Sequence, residues 1–430
     1  MLKENLLMGK RIKKLIKNEY IYSIVTKFVS VILTLLQSIL VARYLGAALQ
    51  GVSSYIVSIV SIGAIVITFG IHQAYPYYRK QLGKDAIYKD FITITYTLYA
   101  ILFILSIIIG FVFARSIELR AAIILIPIYG YDRVVSYIAL IETPNKRNTW
   151  WTIISFIDVV YVGILTLFIP RSIASAVSIL AFAEILKSVV YTIMLKSKPE
   201  FDRNQLSLFV KLLKMGFFPV VALLMTTLNY KIDILMLRSF DCISEVQIGV
   251  YSIGMIFADR VVIIPDTLKG ILASKLTKGA DELEVAKVCR LCFWCSVAIC
   301  LGLLIVGETL LNFLYGDEYT GAYDVLMICS FGSIFIGYFK LIAQYNIVNK
   351  KQIRNVTMLS ISIIVNIILN CILIPKYQLR GAAFASGIGY FLSGTIFIIW
   401  FSKANDIPLS KMFLIQKTDI KPFIKTRGKK

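Results

Sequence analysis

Long apolar blocks, rather than alternating apolar and polar residues, set the pattern of this chain. A bilayer core of about 30 Å takes roughly 20 helical residues to cross, and blocks of that length recur from one end to the other. They predict 12 spans, near residues 20–44, 51–74, 91–113, 121–141, 150–170, 173–195, 215–238, 248–272, 289–313, 323–347, 355–375 and 381–402. The first block is too long for the core of a secretion signal, and no small-residue cleavage site precedes the next one. It is expected to persist as the first membrane helix.

The polar segments between the blocks carry a charge bias. Lys10, Arg11, Lys13, Lys14 and Lys17 precede the first span, and Arg79, Lys80, Lys84 and Lys89 follow the second. Lys146 and Arg147, then Lys196 to Lys214, then Lys275 to Arg290, then Lys350, Lys351 and Arg354, and finally the tail from Lys403, continue the series on the same side. The opposite segments hold only Arg115, Arg120, Arg171, Lys376 and Arg380. Basic loops stay cytoplasmic, so both termini are expected there.

Internal similarity suggests two related halves. RYLGAALQGV (43–52) ends the first span and RSFDCISEVQIGV (238–250) follows the seventh, with Arg43 matching Arg238 and Gly51–Val52 matching Gly249–Val250. Ile169–Pro170–Arg171 matches Ile374–Pro375–Lys376 between the last two spans of each half. Each half opens on a basic amphipathic stretch, 10–20 and 208–218. The expected organisation is a six-helix half over 1–195, a linker over 196–214, a second six-helix half over 215–402 and a basic tail over 403–430. Repeats of this kind place a substrate site between the halves near mid-membrane.

Composition agrees. With 58% hydrophobic and 17% charged residues, the chain lacks the polar surface that a soluble protein of 430 residues needs. The net charge of +21 lies in alternate loops rather than in one patch, which argues against nucleic acid as a partner. Cys289, Cys292 and Cys295 open an apolar helix, where free cysteine is a small hydrophobe. No metal or other cofactor is expected.

Inside the spans, however, ionisable residues are frequent: Lys27, Asp132, Arg133, Asp158, Glu184, Lys187, Lys231, Asp233, Asp259, Arg260, Asp266, Lys269 and Lys340. A charge at mid-membrane costs several kcal/mol unless it meets water or a partner, so these groups imply a wet interior. Several share faces with other polar residues at helical spacing: Ser23, Lys27, Ser30, Thr34 and Ser38; Thr226, Asn229 and Asp233; Ser333, Gly337, Lys340 and Gln344; Ser362, Asn366 and Asn370. Bland alternatives stand beside this. Glu184 and Lys187 can neutralise each other, Lys27 and Lys340 can snorkel, and Ser and Asn stripes often join helices. Gly381, Ala385 and Gly389 form a small-residue packing face, and Trp150, Trp151, Trp400 and Tyr44 read as interface anchors. His72 has no activating partner, there is no phosphate-binding loop and the loops are short, so an enzyme is not expected.

ARYLGAALQGVSSY, NYKIDILMLRSF followed by GVYSIGMIFADR, and NIILNCILIPKYQLRGAAFASGIGY resemble the polysaccharide-transporter branch of the multidrug/oligosaccharidyl-lipid/polysaccharide exporter superfamily. Gln378 departs from that pattern, where the family often has Gly, and bears on local turn geometry. The resemblance implies an all-α, 12-helix alternating-access transporter in the bacterial inner membrane. Its implied job is moving undecaprenyl-diphosphate-linked O-antigen or capsule repeat units, with membrane lipids and glycan polymerase machinery as partners and a monomer as the default. Lys27, Arg133, Arg260, Lys269, Lys340 and Asn366 are the expected substrate contacts. Asp233, Asp259 and Asp266 could bind H⁺ or Na⁺ for coupling, or pair internally. The runner-up is a cation-coupled multidrug exporter of the same fold. A lipid II flippase usually carries extra spans, and a glycan polymerase or ligase would need a large loop.

Overall fold

The structure, a computed structural model, describes residues 19–196, 199–200, 205–416 and 419, with the side chains of 19–25, 27 and 84–86 outside that description. The basic stretch before residue 19, much of the expected linker and the end of the tail lie outside it too. In chain order the helices are α1 (Glu19–Ile67), α2 (Ile71–Leu82), α3 (Lys84–Phe113), α4 (Ile117–Glu142), α5 (Pro144–Phe168), α6 (Ile173–Leu195) and α7 (Gln205–Arg238). Then come α8 (Glu245–Ala258), a 3₁₀ turn (Asp259–Val262), α9 (Ile263–Thr277), α10 (Glu282–Tyr315), α11 (Ala322–Val348), α12 (Gln352–Ala404) and the short α13 (Leu409–Phe413).

Among the described residues, ten helices are long and apolar enough to cross a membrane, where the sequence predicts 12 spans. The difference lies in α1 and α12, each holding two predicted spans. At 53 residues, α12 would reach about 80 Å if straight, well beyond a bilayer. It does not run straight. Gln378 has φ 50° and ψ −125°, and beyond it the chain folds back. A Cβ on Gly381 would fall 2.2 Å from the Leu373 carbonyl, and one on Gly389 would fall 3.3 Å from Asn366. Those two pairs keep one antiparallel register, so α12 is a two-helix hairpin whose small-residue face forms the seam. The break in α1 is at Gly46, φ 71°.

Gln378 therefore occupies backbone space that favours glycine, and its Oε1 accepts from Gln247 Nε2 at 2.8 Å. Strain of this kind costs about 1–3 kcal/mol in a side-chain-bearing residue. Gln378→Gly is expected to raise stability by about 1 kcal/mol after the lost bond and the greater freedom of glycine are deducted. Thermal unfolding of the purified protein in detergent checks it.

Side-chain caps fix several helix starts. Ser172 and Ser175 exchange bonds at the head of α6, and Ser244 with Gln247 does the same for α8. Phe111, Val112, Phe113, Leu167, Phe168 and Phe313 remain exposed near helix ends, and Ile305 within α10, as bilayer-facing residues do.

The chain divides into two compact units, 1–220 and 221–430. In the first, Ile71, Tyr75, Phe91, Val134, Tyr191 and Leu212 belong to one buried core. Leu212 comes from the opening of α7, which explains why the division falls inside that helix and not in a linker before it. In the second unit α11 packs on the α12 hairpin through glycines: a Cβ on Gly332 would lie 2.2 Å from the Gly387 carbonyl, and one on Gly394 2.1 Å from that of Phe335.

Candidate functional site

The helical path from Glu245 to Thr277 is predicted as one span, but it is interrupted at Asp259–Val262. Pro265 supplies the reason. It has no N–H for the carbonyl of Val261, and its ring crowds that carbonyl, so the preceding turn tightens. The orphaned Val261 oxygen accepts from Ser296 Oγ of α10 at 2.9 Å, with Ser296 fully buried. Ser296→Ala is expected to cost about 1–3 kcal/mol, the penalty of leaving a buried carbonyl unpaired, read as a lower unfolding temperature.

Four basic side chains gather around this break in the second unit. Lys340 Nζ donates to Asp266 Oδ2 at 2.6 Å, and Lys269 Nζ to Asp266 Oδ1 at 2.8 Å. Lys340 also lies over the Tyr230 ring, 5.3 Å from its centroid. Asp259 has Lys340, Lys231 and Arg260 as electrostatic neighbours and is accessible although it lies midway along the path. Arg260 is half-buried, and its Nε is buried without a partner among the described residues. Lys231, Arg260, Lys269 and Lys340 against Asp259 and Asp266 leave a clear cationic excess.

Asp233 belongs elsewhere in the same unit. It is 1% exposed, and its Oδ1 accepts from Asn370 Nδ2 at 2.9 Å. The same Asn370 nitrogen donates to Asn366 Oδ1 at 3.0 Å. Asp233 Oδ2, Asn370 Oδ1 and Asn366 Nδ2 have no partner among the described residues. Asn366 thus joins the Asp233 carboxylate, not the basic cluster. Asn229, Ser362 and Ser333 are fully enclosed as well, so their stripes face neighbouring helices.

The first unit mixes the two signs. Lys187 Nζ bonds Glu184, as their spacing allows, and lies 3.9 Å from Asp132 Oδ2. Asp158 is a further electrostatic neighbour of Lys187 and Glu184. Arg133 has Asp132, Glu184 and Tyr99 as electrostatic neighbours, and His72 as well. Lys27 lies on α1, with its side chain outside the described residues. Ser30 bonds Thr152 at 2.9 Å, joining α1 to α5. Tyr44 is buried, its hydroxyl donating to the Ile169 carbonyl at 3.0 Å, rather than serving as an interface anchor.

Two residues here escape sequence reasoning. Arg147 reads as a loop cation and Trp151 as an interface anchor. The guanidinium instead stacks on the Trp151 ring at 3.8 Å and donates from Nη2 to Ser136 Oγ at 3.0 Å. Their spacing of one helical turn is the only signal that could have paired them.

Ten long apolar helices among the described residues, with charged clusters inside each unit, make this a polytopic membrane protein. Its sequence matches the family described as "Polysaccharide biosynthesis protein" over residues 16–265, more than half of the chain, and the chain belongs to that family. It is 35% identical over 94 residues to an uncharacterised membrane protein of Methanocaldococcus jannaschii, covering 21% of this chain and 18% of that one. Over 126 residues it is 32% identical to the capsular polysaccharide biosynthesis protein CapF of Staphylococcus aureus, covering 28% of this chain and 31% of that one. The matches thus span less than a third of either relative. Among solved structures, the lipid II flippase MurJ shares the fold with a TM-score of 0.72 at 16% identity, covering 95% of this chain and 93% of that one. A multidrug resistance MATE family transporter in its inward-facing conformation shares it with a TM-score of 0.61 at 13% identity, covering 89% and 96%.

Proposed function

We propose that the protein is a flippase that carries undecaprenyl-diphosphate-linked oligosaccharide, an O-antigen or capsule repeat unit, across the bacterial inner membrane by alternating access. The cationic excess around the Pro265 break carries this reading. A diphosphate headgroup needs cations with free donors, and Arg260 offers one beside Lys231 and Lys340. Membership of the polysaccharide biosynthesis family and the fold shared with a lipid II flippase support a glycan-lipid substrate. Asp233, enclosed and with one oxygen unpartnered, is the carboxylate we assign to H⁺ or Na⁺ coupling. Asp266 we assign to pairing, since it already bonds both Lys269 and Lys340. In this reading both termini are cytoplasmic, the protein acts as a monomer and glycan polymerase machinery takes the product.

The fold is shared with multidrug transporters too, which keeps a drug exporter as the second reading. A cationic drug would favour carboxylates, and Asp132, Asp158 and Glu184 are electrostatic neighbours in the first unit.

Deleting and restoring the gene in its native host separates the two. Loss of surface glycan, with intact lipid-linked repeat units accumulating on the cytoplasmic leaflet, is the result expected. Unchanged surface glycan with raised sensitivity to cationic drugs would overturn the flippase and promote the exporter.

A further inference from the structure

The segment after the last membrane helix, predicted as a basic tail, is built into the second unit. Met412 is fully buried, and the Phe413 ring meets Phe293 at 5.3 Å and Tyr338 at 5.5 Å. Two side chains grip its backbone: the Tyr338 hydroxyl donates to the Met412 carbonyl at 2.9 Å, and Trp294 Nε1 to that of Phe413 at 2.8 Å. Beyond it, Asp419 accepts from Arg290 Nε and Nη2, each at 2.7 Å, and from the Gln416 amide at 2.8 Å. Arg290 Nη1 donates to the Lys411 carbonyl. The two side chains are 3% and 1% exposed, and the guanidinium holds the Asp419 carboxyl below the usual carboxylate range. A two-pronged pair so enclosed is stable only while both partners stay in place.

Both helices held by this segment lead to the basic cluster. On α10, Arg290, Phe293 and Trp294 meet the segment, and Ser296 holds the Val261 carbonyl at the break next to Arg260. On α11, Tyr338 meets it, and two residues on, about 200° around the helix, Lys340 bonds Asp266. We infer that residues 408–416 and Asp419 form a strap that fixes α10 against α11 and so sets the placement of Arg260 and Lys340, with Arg290 and Asp419 as positioning residues. The role in transport rests on the flippase reading; the placement does not.

The test uses the full chain in lipid nanodiscs, with hydrogen exchange over 409–416 and labelling of lysines by acetic anhydride, both read by mass spectrometry. In Asp419→Asn, exchange in the strap is expected to rise about a hundredfold, the scale for removing one partner of a buried ion pair. Labelling of Lys340 is expected to rise severalfold, while that of Lys187 in the first unit stays as in wild type. Tyr338→Phe, which removes only the bond to Met412, gives the same test should Asp419→Asn not fold, and it too must raise Lys340 labelling. Strap exchange that rises while Lys340 labelling stays unchanged makes the segment a mere cover and overturns the inference, as does unchanged strap exchange. If wild-type protein moves no glycan lipid, the flippase reading fails while the Lys340 result still decides the strap.

Discussion

Arg260→Ala is expected to reduce glycan-lipid transport by about a hundredfold while the protein still folds. Folding survives because Arg260 is not the sole counterion of Asp259, which keeps Lys231 and Lys340 as neighbours, so no buried charge is stranded. Transport fails because the unpartnered Nε is the donor left free for an anion. Truncating a buried charged partner of a ligand costs about 2–5 kcal/mol, and 2.7 kcal/mol is about a hundredfold. Arg260→Lys should recover only part of the rate, since the charge stays but the planar fork is lost. Lys340→Ala should be severe too, since that side chain is 14% exposed, whereas Lys269, 45% exposed, should matter less. Flipping of a lipid-linked glycan in reconstituted vesicles, alongside surface-glycan rescue of the deletion strain, measures all four. A wild-type rate in Arg260→Ala would place the anion site elsewhere.

That ranking also shows what was legible in the sequence. The membrane helices could be read because a block of some 20 apolar residues has little else it can form. The charged residues in the spans could be read for the same reason, since each is an exception that needs a cause. What faced them could not. Periodicity says that Asn366 and Asn370 share a face, but not that Asp233 lies opposite, and so a stripe expected to line a cavity proved enclosed. A count along the chain finds the charges nearly balanced. The fold leaves the signs mixed around Lys187 and gathers an excess of cations only around the Pro265 break. Pro265 was visible in the sequence, yet the turn it tightens depends on Ser296, a residue in another helix. The strap was hidden for a similar reason. Arg290 and Asp419 each look like ordinary charges near a membrane surface, and only their distance of 2.7 Å makes them a pair.

The largest expected loss of stability lies where α7 leaves the first unit. Gly70 breaks the path from α1 to α2 at φ +68°, and a Cβ there would fall 2.1 Å from the Gly216 carbonyl oxygen on α7. Gly70→Ala therefore carries two penalties: about 1–2 kcal/mol for a left-handed backbone and a backbone clash comparable to overpacking, about 1–3 kcal/mol. About 3 kcal/mol in total is expected. The clash can be measured separately. Gly216→Ala reports it, since its Cβ would lie 2.6 Å from the Gly70 carbonyl group. Gly163→Ala, in open space without unusual φ, is the control for the glycine change itself. Unfolding temperatures in detergent should fall in the order Gly163→Ala least, Gly216→Ala intermediate, and Gly70→Ala most. Combining Gly70→Ala with Gly216→Ala should deviate from the sum of the two, because they disturb one contact. The same helix carries Lys231 and Asp233 further along, so Gly216→Ala should also lower transport at temperatures where the protein remains folded. Equal unfolding temperatures for Gly216→Ala and Gly163→Ala would mean that the two backbones do not touch, and that α7 is held by Leu212 and its apolar neighbours alone.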